Sequence, residues 1–271
     1  MDVKIIDGTT ITMSDTKDNQ ETYPQHANQK EGSGFPLARL SVLMSLNTGT
    51  ILDFDLAAHK GKGTGEHALF RNISHHITEN TLLLGDAYYP SYFLICDLLT
   101  KSAHGIFKAS KARNNDVKVI EVFDKKDRLV QWIKPLYKPS WMSLEIYSNL
   151  PQHITLRLIK INGEEYVTTL VDKKLHKNEI AKVYKSRWHI ELNLRSIKTF
   201  MGMEHLTCKK PDTVEKEIAA HFIAYNIIRL VMVKSAMEYS CRANDLSFMN
   251  AMGEILASWV YLILDDNTDN F

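Results

Sequence analysis

This sequence has almost no excess of positive or negative charge. Its 271 residues carry 33 Lys and Arg against 32 Asp and Glu, a formal net charge of +1. Attraction of the whole chain to nucleic acid is therefore excluded as an argument, and any basic surface must be local. Cysteine is scarce: Cys96, Cys208 and Cys241 are far apart and form no CxxC pair. That argues against a zinc cluster or a disulfide framework and leaves buried free thiols in a reducing cytoplasm as the default. The N-terminus, MDVKIIDGTT, lacks the basic-then-apolar pattern of a signal peptide. No long uninterrupted apolar run occurs either. The most apolar stretch, residues 218–233, contains His221, Asn226 and Arg229. It is too short and too polar to span a bilayer and reads as a buried core helix. HExxH is absent, and His26, His59 and the pair His75-His76 have no zinc-like partners. "GKGTG" (61–65) lacks the G-x4-G-K-[ST] spacing, so a nucleotide cofactor is not expected. There is no internal repeat and no low-complexity block.

What is present is an ordinary soluble composition, 44% hydrophobic and 24% charged. The length suits one large domain with an insertion, or two small domains. Residues 3–12 are β-rich, and 16–36 read as a polar loop. Residues 38–58 read as two strands joined at Asn47-Thr48-Gly49, a hairpin signal. A glycine-rich loop (60–67) precedes a helix expected over 66–77. "TLLLGD" (81–86) reads as a buried strand. A helix comes next at about 90–102, with Pro90 near its first turn, and "HGIFKAS" (104–110) reads as a strand. From about 115 to 172 the runs VKVIEVF, RLVQWI, LEIYS, ITLRLIKI and EYVTTLV suggest a meander of antiparallel strands. Helix returns at about 177–202 and 212–239, then a short helix and an acidic end, DDNTDN. This order fits a mixed α/β core interrupted by an all-β insertion.

Residues 184–198, YKSRWHIELNLRSIK, hold one carboxylate, Glu191, among Tyr184, Arg187, Arg195 and Lys198. At about 3.6 residues per turn, these five fall within a sector of roughly 80° on a helical wheel. Val183, Ile190, Leu194, Ile197 and Met201 form an adjoining apolar stripe. The plain reading is a solvated face of i,i+4 ion pairs, since Glu191 lies four residues from both Arg187 and Arg195. The functional reading gives the acid to a metal and the cations to phosphates.

Two further acids bear on that choice. Asp7 lies in the first strand, and Asp86 closes the LLLGD strand, where α/β sheets tend to place their chemistry. Singly, such an Asp is more often a turn or cap residue. Together, three carboxylates can hold two Mg²⁺ ions, hard cations that prefer oxygen ligands. A metal pair about 3.5–4 Å apart clamps the attacking and leaving oxygens of a phosphodiester.

Tyr184, Arg187, Glu191 and Lys198 spell Y-x2-R-x3-E-x6-K. This resembles the YREK box of the DDE transposases of bacterial insertion sequences, in the insertion sequence four family. IDGTTITMSDT, GKGTGEHALFR, LLLGDAYYPSYF and the stretch from Glu191 to Met232 resemble the same family, over most of residues 3–240. The resemblance implies a ribonuclease-H-like mixed sheet flanked by helices and interrupted by a β-rich insertion. The expected divisions are a first core part at 1–112, the insertion at 113–173, a second core part at 174–240 and a tail at 241–271. It implies Asp7, Asp86 and Glu191 as the catalytic, metal-binding triad, with Mg²⁺, or Mn²⁺ in its place. It implies that Tyr184, Arg187 and Lys198 handle transposon-end DNA; Arg195 joins them from the cationic row. The expected activity is metal-dependent DNA cleavage and strand transfer, by a homodimer on transposon ends and target, in the bacterial cytoplasm at the nucleoid and away from membranes.

Two departures stand out. Where the family often has Asp-Arg-Gly or Asp-Arg-Tyr, this chain has Asp86-Ala87-Tyr88. Family members also carry an N-terminal helical DNA-binding region before the first acid, whereas Asp7 stands near the start here. The alternative is therefore a truncated, non-catalytic remnant that binds DNA or a full-length transposase and inhibits transposition. A nuclease of the same fold without strand transfer is a third reading. Trp132, Tyr137 and Trp141 beside Lys134 and Lys138 suit either stacking on an unpaired base or the small core of a β subdomain.

Overall fold

A computed structural model describes residues 1–30, 32–110 and 117–264, with side chains through residue 258. The strands, in chain order, are β1 (Asp2–Met13), β2 (Leu37–Ser45), β3 (Ile51–Ala58), β4 (Thr81–Gly85), β5 (His104–Lys108), β6 (Lys118–Asp124), β7 (Asp127–Ile133), β8 (His153–Ile161), β9 (Glu164–Thr168) and β10 (His205–Leu206). The helices are α1 (Lys17–Thr22), α2 (Glu66–Ile73), α3 (Tyr92–Thr100), α4 (Leu144–Asn149), α5 (Lys177–Lys185), α6 (Trp188–Arg195), α7 (Pro211–Glu238) and α8 (Phe248–Leu264). They fall into two units, one of residues 1–7 and 70–188, the other of residues 8–69 and 189–271. The acidic DDNTDN stretch lies outside the described residues.

In the first unit a large mixed sheet runs β1-β4-β5-β9-β8-β7-β6. β1, β4 and β5 are parallel, and β4 lies between the other two. Every residue of β4 is buried, as the uninterrupted apolar run of a central parallel strand requires. β9 then pairs antiparallel with β5, and β8, β7 and β6 are its successive antiparallel neighbours in reverse chain order. The expected meander is present, and it extends the sheet from β5.

Two local expectations fail for capping reasons. LEIYS, expected as a strand, is helix α4, because the Ser143 hydroxyl accepts from the Ile146 N–H at 3.2 Å and starts a helix. Residues 17–22, expected as loop, form α1, where the Thr16 hydroxyl accepts from the Asn19 N–H at 3.2 Å. α3 begins after Pro90, with Ser91 as its cap. Of the three aromatics near the lysines, only Trp132 is core. Tyr137 is 82% exposed, and half-exposed Trp141 lies under the Arg71 guanidinium, 4.1 Å from the ring centre.

A buried ion pair fastens the antiparallel strands to the segment that leads into α5. Arg157 on β8 donates to both oxygens of Asp127 on β7, at 2.8 and 2.6 Å, and both side chains are almost fully buried. Its remaining guanidinium nitrogen donates to the carbonyls of Asp172 and Leu175, at 2.8 and 2.9 Å, just ahead of α5. The charge-assisted bonds satisfy the guanidinium without water.

In the second unit, β2 and β3 form the expected hairpin, and the last two residues of β1 pair in parallel with β10. Gly49 turns the hairpin at φ +71°, a conformation that costs a side chain dearly. A Cβ there would also meet the Arg229 guanidinium at 2.3 Å. The polar residues that interrupt the apolar run of α7 dock it onto this hairpin. Arg229 donates to the Thr48 carbonyl at 2.6 and 2.9 Å and to the Asn244 side chain at 2.7 Å. Asn226 completes the first β3 residue, accepting from the Ile51 N–H and donating to its carbonyl, each at 2.9 Å. α7 is not the wholly buried helix expected. By length and composition alone it could cross a membrane, and only 33% of its most apolar window is buried. One face packs on the protein, and the other is exposed.

These contacts predict two stability losses, both read by urea unfolding. Asp127→Ala leaves a buried guanidinium without its counter-charge and should cost about 3–5 kcal/mol. Gly49→Ala forces a side chain into the left-handed region and onto Arg229; it should cost roughly 1–3 kcal/mol.

Candidate active site

β1 and β4 pair in parallel with Ile5 opposite Leu84. Two residues further along the same register, Asp7 falls opposite Asp86, which comes directly after the last residue of β4. Residues opposite one another in a parallel pair share a face. The register thus brings two carboxylates together where β4 ends and β1 runs on, Asp7 midway along β1 and Asp86 just beyond the carboxyl end of β4, the end of a parallel strand at which open α/β sheets bind their ligands.

Each carboxylate is held. Arg187 Nη1 donates to Asp7 Oδ2 at 3.4 Å, and both side chains are mostly shielded from water. One Asp86 oxygen accepts from the Tyr88 N–H at 2.8 Å, so Asp86 also closes the turn after β4. Tyr184 is buried with its ring against Tyr166, 4.9 Å between centres. Burial pushes its phenol up to about 12, against a downward pull from the hydrogen-bonded Arg187 guanidinium and an upward push from Asp86.

The segment 184–198 is not one helix, as the wheel assumed. α5 ends at Lys185, Ser186 and Arg187 make a tight turn whose N–H groups bond to Val183 and Tyr184, and α6 starts at Trp188. A π-helical turn covers Ser196–Phe200, a distortion frequent at functional sites. The apolar stripe keeps its role, with Ile190, Leu194 and Ile197 buried. The polar row is dispersed. Tyr184 and Arg187 join Asp7 and Asp86 in the first unit, whereas Glu191, Arg195 and Lys198 lie in the second. Glu191 sits half-buried in the first turn of α6, and Arg195 is exposed in its last turn. Lys198 donates to the Thr9 hydroxyl at 3.3 Å and to the Thr10 carbonyl at 3.0 Å.

The donor set suits a hard divalent cation. Asp7 and Asp86 offer carboxylate oxygens from neighbouring interior strands, and oxygen donors of this kind are the chemistry of Mg²⁺ or Mn²⁺ sites. The Arg187 guanidinium already offsets part of the Asp7 charge.

One acid that the sequence reading passed over lies next to the residue after Asp7. The Glu66 carboxylate, in the first turn of α2, packs on Gly8, the residue after Asp7, so closely that a Cβ there would lie 2.5 Å from Glu66 Cδ. The signal was the glycine in Asp7-Gly8, which leaves room for a neighbour.

The raised Tyr184 phenol predicts a pH effect. The folded form holds its proton more tightly than the unfolded chain, whose phenol titrates near 10. This contribution is complete below pH 10 and is lost as pH rises toward 12, on the order of 2 kcal/mol. Tyr184→Phe should flatten the fall of stability between pH 10 and 12, measured by urea unfolding at each pH.

Known proteins with related sequences and folds point in the same direction. Residues 1–227 match the family model described as "Transposase DDE domain". The chain is 26% identical over 259 residues to the transposase InsG for insertion sequence element IS4 of Escherichia coli (strain K12), covering 93% of this chain and 57% of that protein. A solved piggyBac transposase, in a synaptic complex with hairpin DNA, has a similar fold. Its TM-score is 0.53 at 9% identity, over 99% of this chain and 55% of that one. The chain thus spans little more than half the length of the relatives it matches. With most of its length matched to one family model, from the first strand into the long helix, the chain belongs to the transposase DDE domain family.

Proposed function

We propose that this chain carries out metal-dependent cleavage and strand transfer on the ends of an insertion sequence. The observation that carries the reading is the register that brings Asp7, midway along β1, toward Asp86 at the carboxyl end of β4, with Arg187 on Asp7. The core is read as ribonuclease-H-like, over 1–112 and 174–240, with 113–173 as a β-rich insertion and 241–271 as a tail. Asp7, Asp86 and Glu191 are the metal-holding acids and make up the catalytic triad. The resemblance of Y-x2-R-x3-E-x6-K supports the third member, which the first two alone do not specify.

When bound, Mg²⁺ or Mn²⁺ would supply an activated water and neutralise charge on the reacting phosphate. The other tasks fall to the chain's own groups. Arg195, exposed at the end of α6, presents its charge to the DNA backbone. Arg187 holds Asp7 in place and stands near enough to face a phosphate. Tyr184 orients Arg187 through their hydrogen bond while staying neutral. Lys198, tied to Thr9 and Thr10, fixes the strand just beyond Asp7 and adds local positive charge. These cations offset the phosphate charge that redistributes in the transition state. Water would cut the transposon end, and the freed 3′-hydroxyl would attack the second strand or a target. The chain would act as a homodimer on DNA, in the cytoplasm of a bacterium.

A strand-transfer assay with pre-cut ends tests this. Joined product in Mg²⁺ is expected. Hydrolysis alone would make the chain a nuclease, and binding without turnover would make it a regulator of transposition. Asp86→Asn and Glu191→Gln should each lower cleavage by about a thousandfold or more, while DNA affinity stays within about threefold. Arg195→Ala should weaken binding and reduce its salt dependence by about one charge. Persistent cleavage by the Glu191→Gln chain would remove Glu191 from the triad.

A further inference from the structure

α7 buries one face through Val214, Ile218, Phe222, Tyr225, Ile228, Arg229 and Met232. Its other face is also apolar and is open to solvent. Ile223 is 62% exposed, Ile227 55%, Leu230 54% and Val231 42%. Ala220 and Ala224 are exposed beside them. On a helical wheel all six fall within roughly 60° of Ile227. They form one seam, with no charged residue from Ala220 to Val231 on this face. An uninterrupted apolar seam of this kind marks an interaction surface.

The charges at the ends of the seam indicate what covers it. Ile227 lies midway, eleven residues from Lys216 and eleven from Glu238, both exposed and both on the seam. Two copies of α7 running in parallel would set Lys216 against Lys216 and Lys234 against Lys234. Two copies running antiparallel about a twofold at Ile227 set Lys216 against Glu238 at both ends. The same arrangement matches size. Ile227 meets its own copy, Ile223 faces Val231, and small Ala224 faces large Leu230. Lys234 falls opposite Ala220, where its aliphatic stem covers the methyl while its ammonium reaches water. The seam is complementary to itself, as a twofold interface must be.

We propose that the exposed face of α7 is a homodimer interface, formed by antiparallel pairing of two copies of this helix about Ile227, and that it forms without DNA. This deepens the homodimer reading given above and names its surface. The seam is about 16 Å from its centre to each charged end, a modest contact. The dimer should therefore dissociate in the micromolar range.

Sedimentation equilibrium of the purified chain, without DNA, over about 5–200 μM tests the proposal. The wild type should pass from monomer to dimer. Ile227→Glu buries like charges at the twofold and should raise the dissociation constant about a hundredfold, with the urea midpoint of the wild type retained when both chains are compared at concentrations where the wild type is monomeric. Lys216→Glu and Glu238→Lys should each weaken the dimer about threefold, and the double swap should restore it. A wild type that stays monomeric at every concentration, or an Ile227→Glu chain that dimerises like the wild type, overturns the proposal. So does a double swap that is weaker than both single ones. Flotation with phosphatidylcholine–phosphatidylglycerol vesicles provides the remaining arm. Vesicle binding by a monomeric wild type, lost in Ile227→Glu, would assign the seam to a lipid surface and overturn the dimer. Because no DNA is present, failure here leaves the strand-transfer reading standing.

Discussion

The parallel pairing of β1 with β4 is the constraint on which the candidate chemistry depends. Like charges do not gather spontaneously; a carboxylate pair needs a backbone that leaves it no choice. Here the choice is removed by register. Once Ile5 pairs with Leu84 within an apolar sheet centre, the two aspartates must emerge together. A slip of one residue would set Asp7 opposite Gly85 and separate the acids, so the register fixes the electrostatic arrangement. Arg187 then offsets part of the repulsion at 3.4 Å from Asp7.

Arg187 owes its position to a second constraint further along the chain. The buried Arg157–Asp127 pair locks β7 to β8, and the same guanidinium binds the carbonyls that precede α5. α5 carries Tyr184 down onto Tyr166, and the turn after it delivers Arg187. The antiparallel strands therefore do more than enlarge the sheet. They hold the end of α5 against the parallel strands that bear the acids.

In the second unit the same economy governs α7. Its two faces are both apolar, yet they behave differently because only one contains Asn226 and Arg229. These satisfy the Ile51 backbone and the Thr48 carbonyl, which would otherwise be buried without partners. The polar interruptions select which face turns inward. The uninterrupted face is left for another surface.

Most of the strands, the hairpin at Gly49, the buried character of β4 and the family were legible in the sequence, because each rests on local patterning or on residues at fixed offsets, whereas the two-residue β10 carries no such pattern. The side-by-side placement of Asp7 and Asp86 was only inferable, since it depends on which strands pair. α4 was misread because apolar residues such as Leu144 and Ile146 suit either element, and a single serine cap decided the matter. The row from Tyr184 to Lys198 was misread for a different reason. A helical wheel presumes one continuous helix, whereas the turn at Ser186–Arg187 and the π turn at Ser196–Phe200 re-aim its members. Residue spacing determined that an acid and several cations belong to one segment. Only tertiary packing decided that Tyr184 is buried, that Arg187 binds Asp7, that Lys198 binds β1 and that Arg195 faces water. Such choices depend on the partners available in space, which no local pattern encodes.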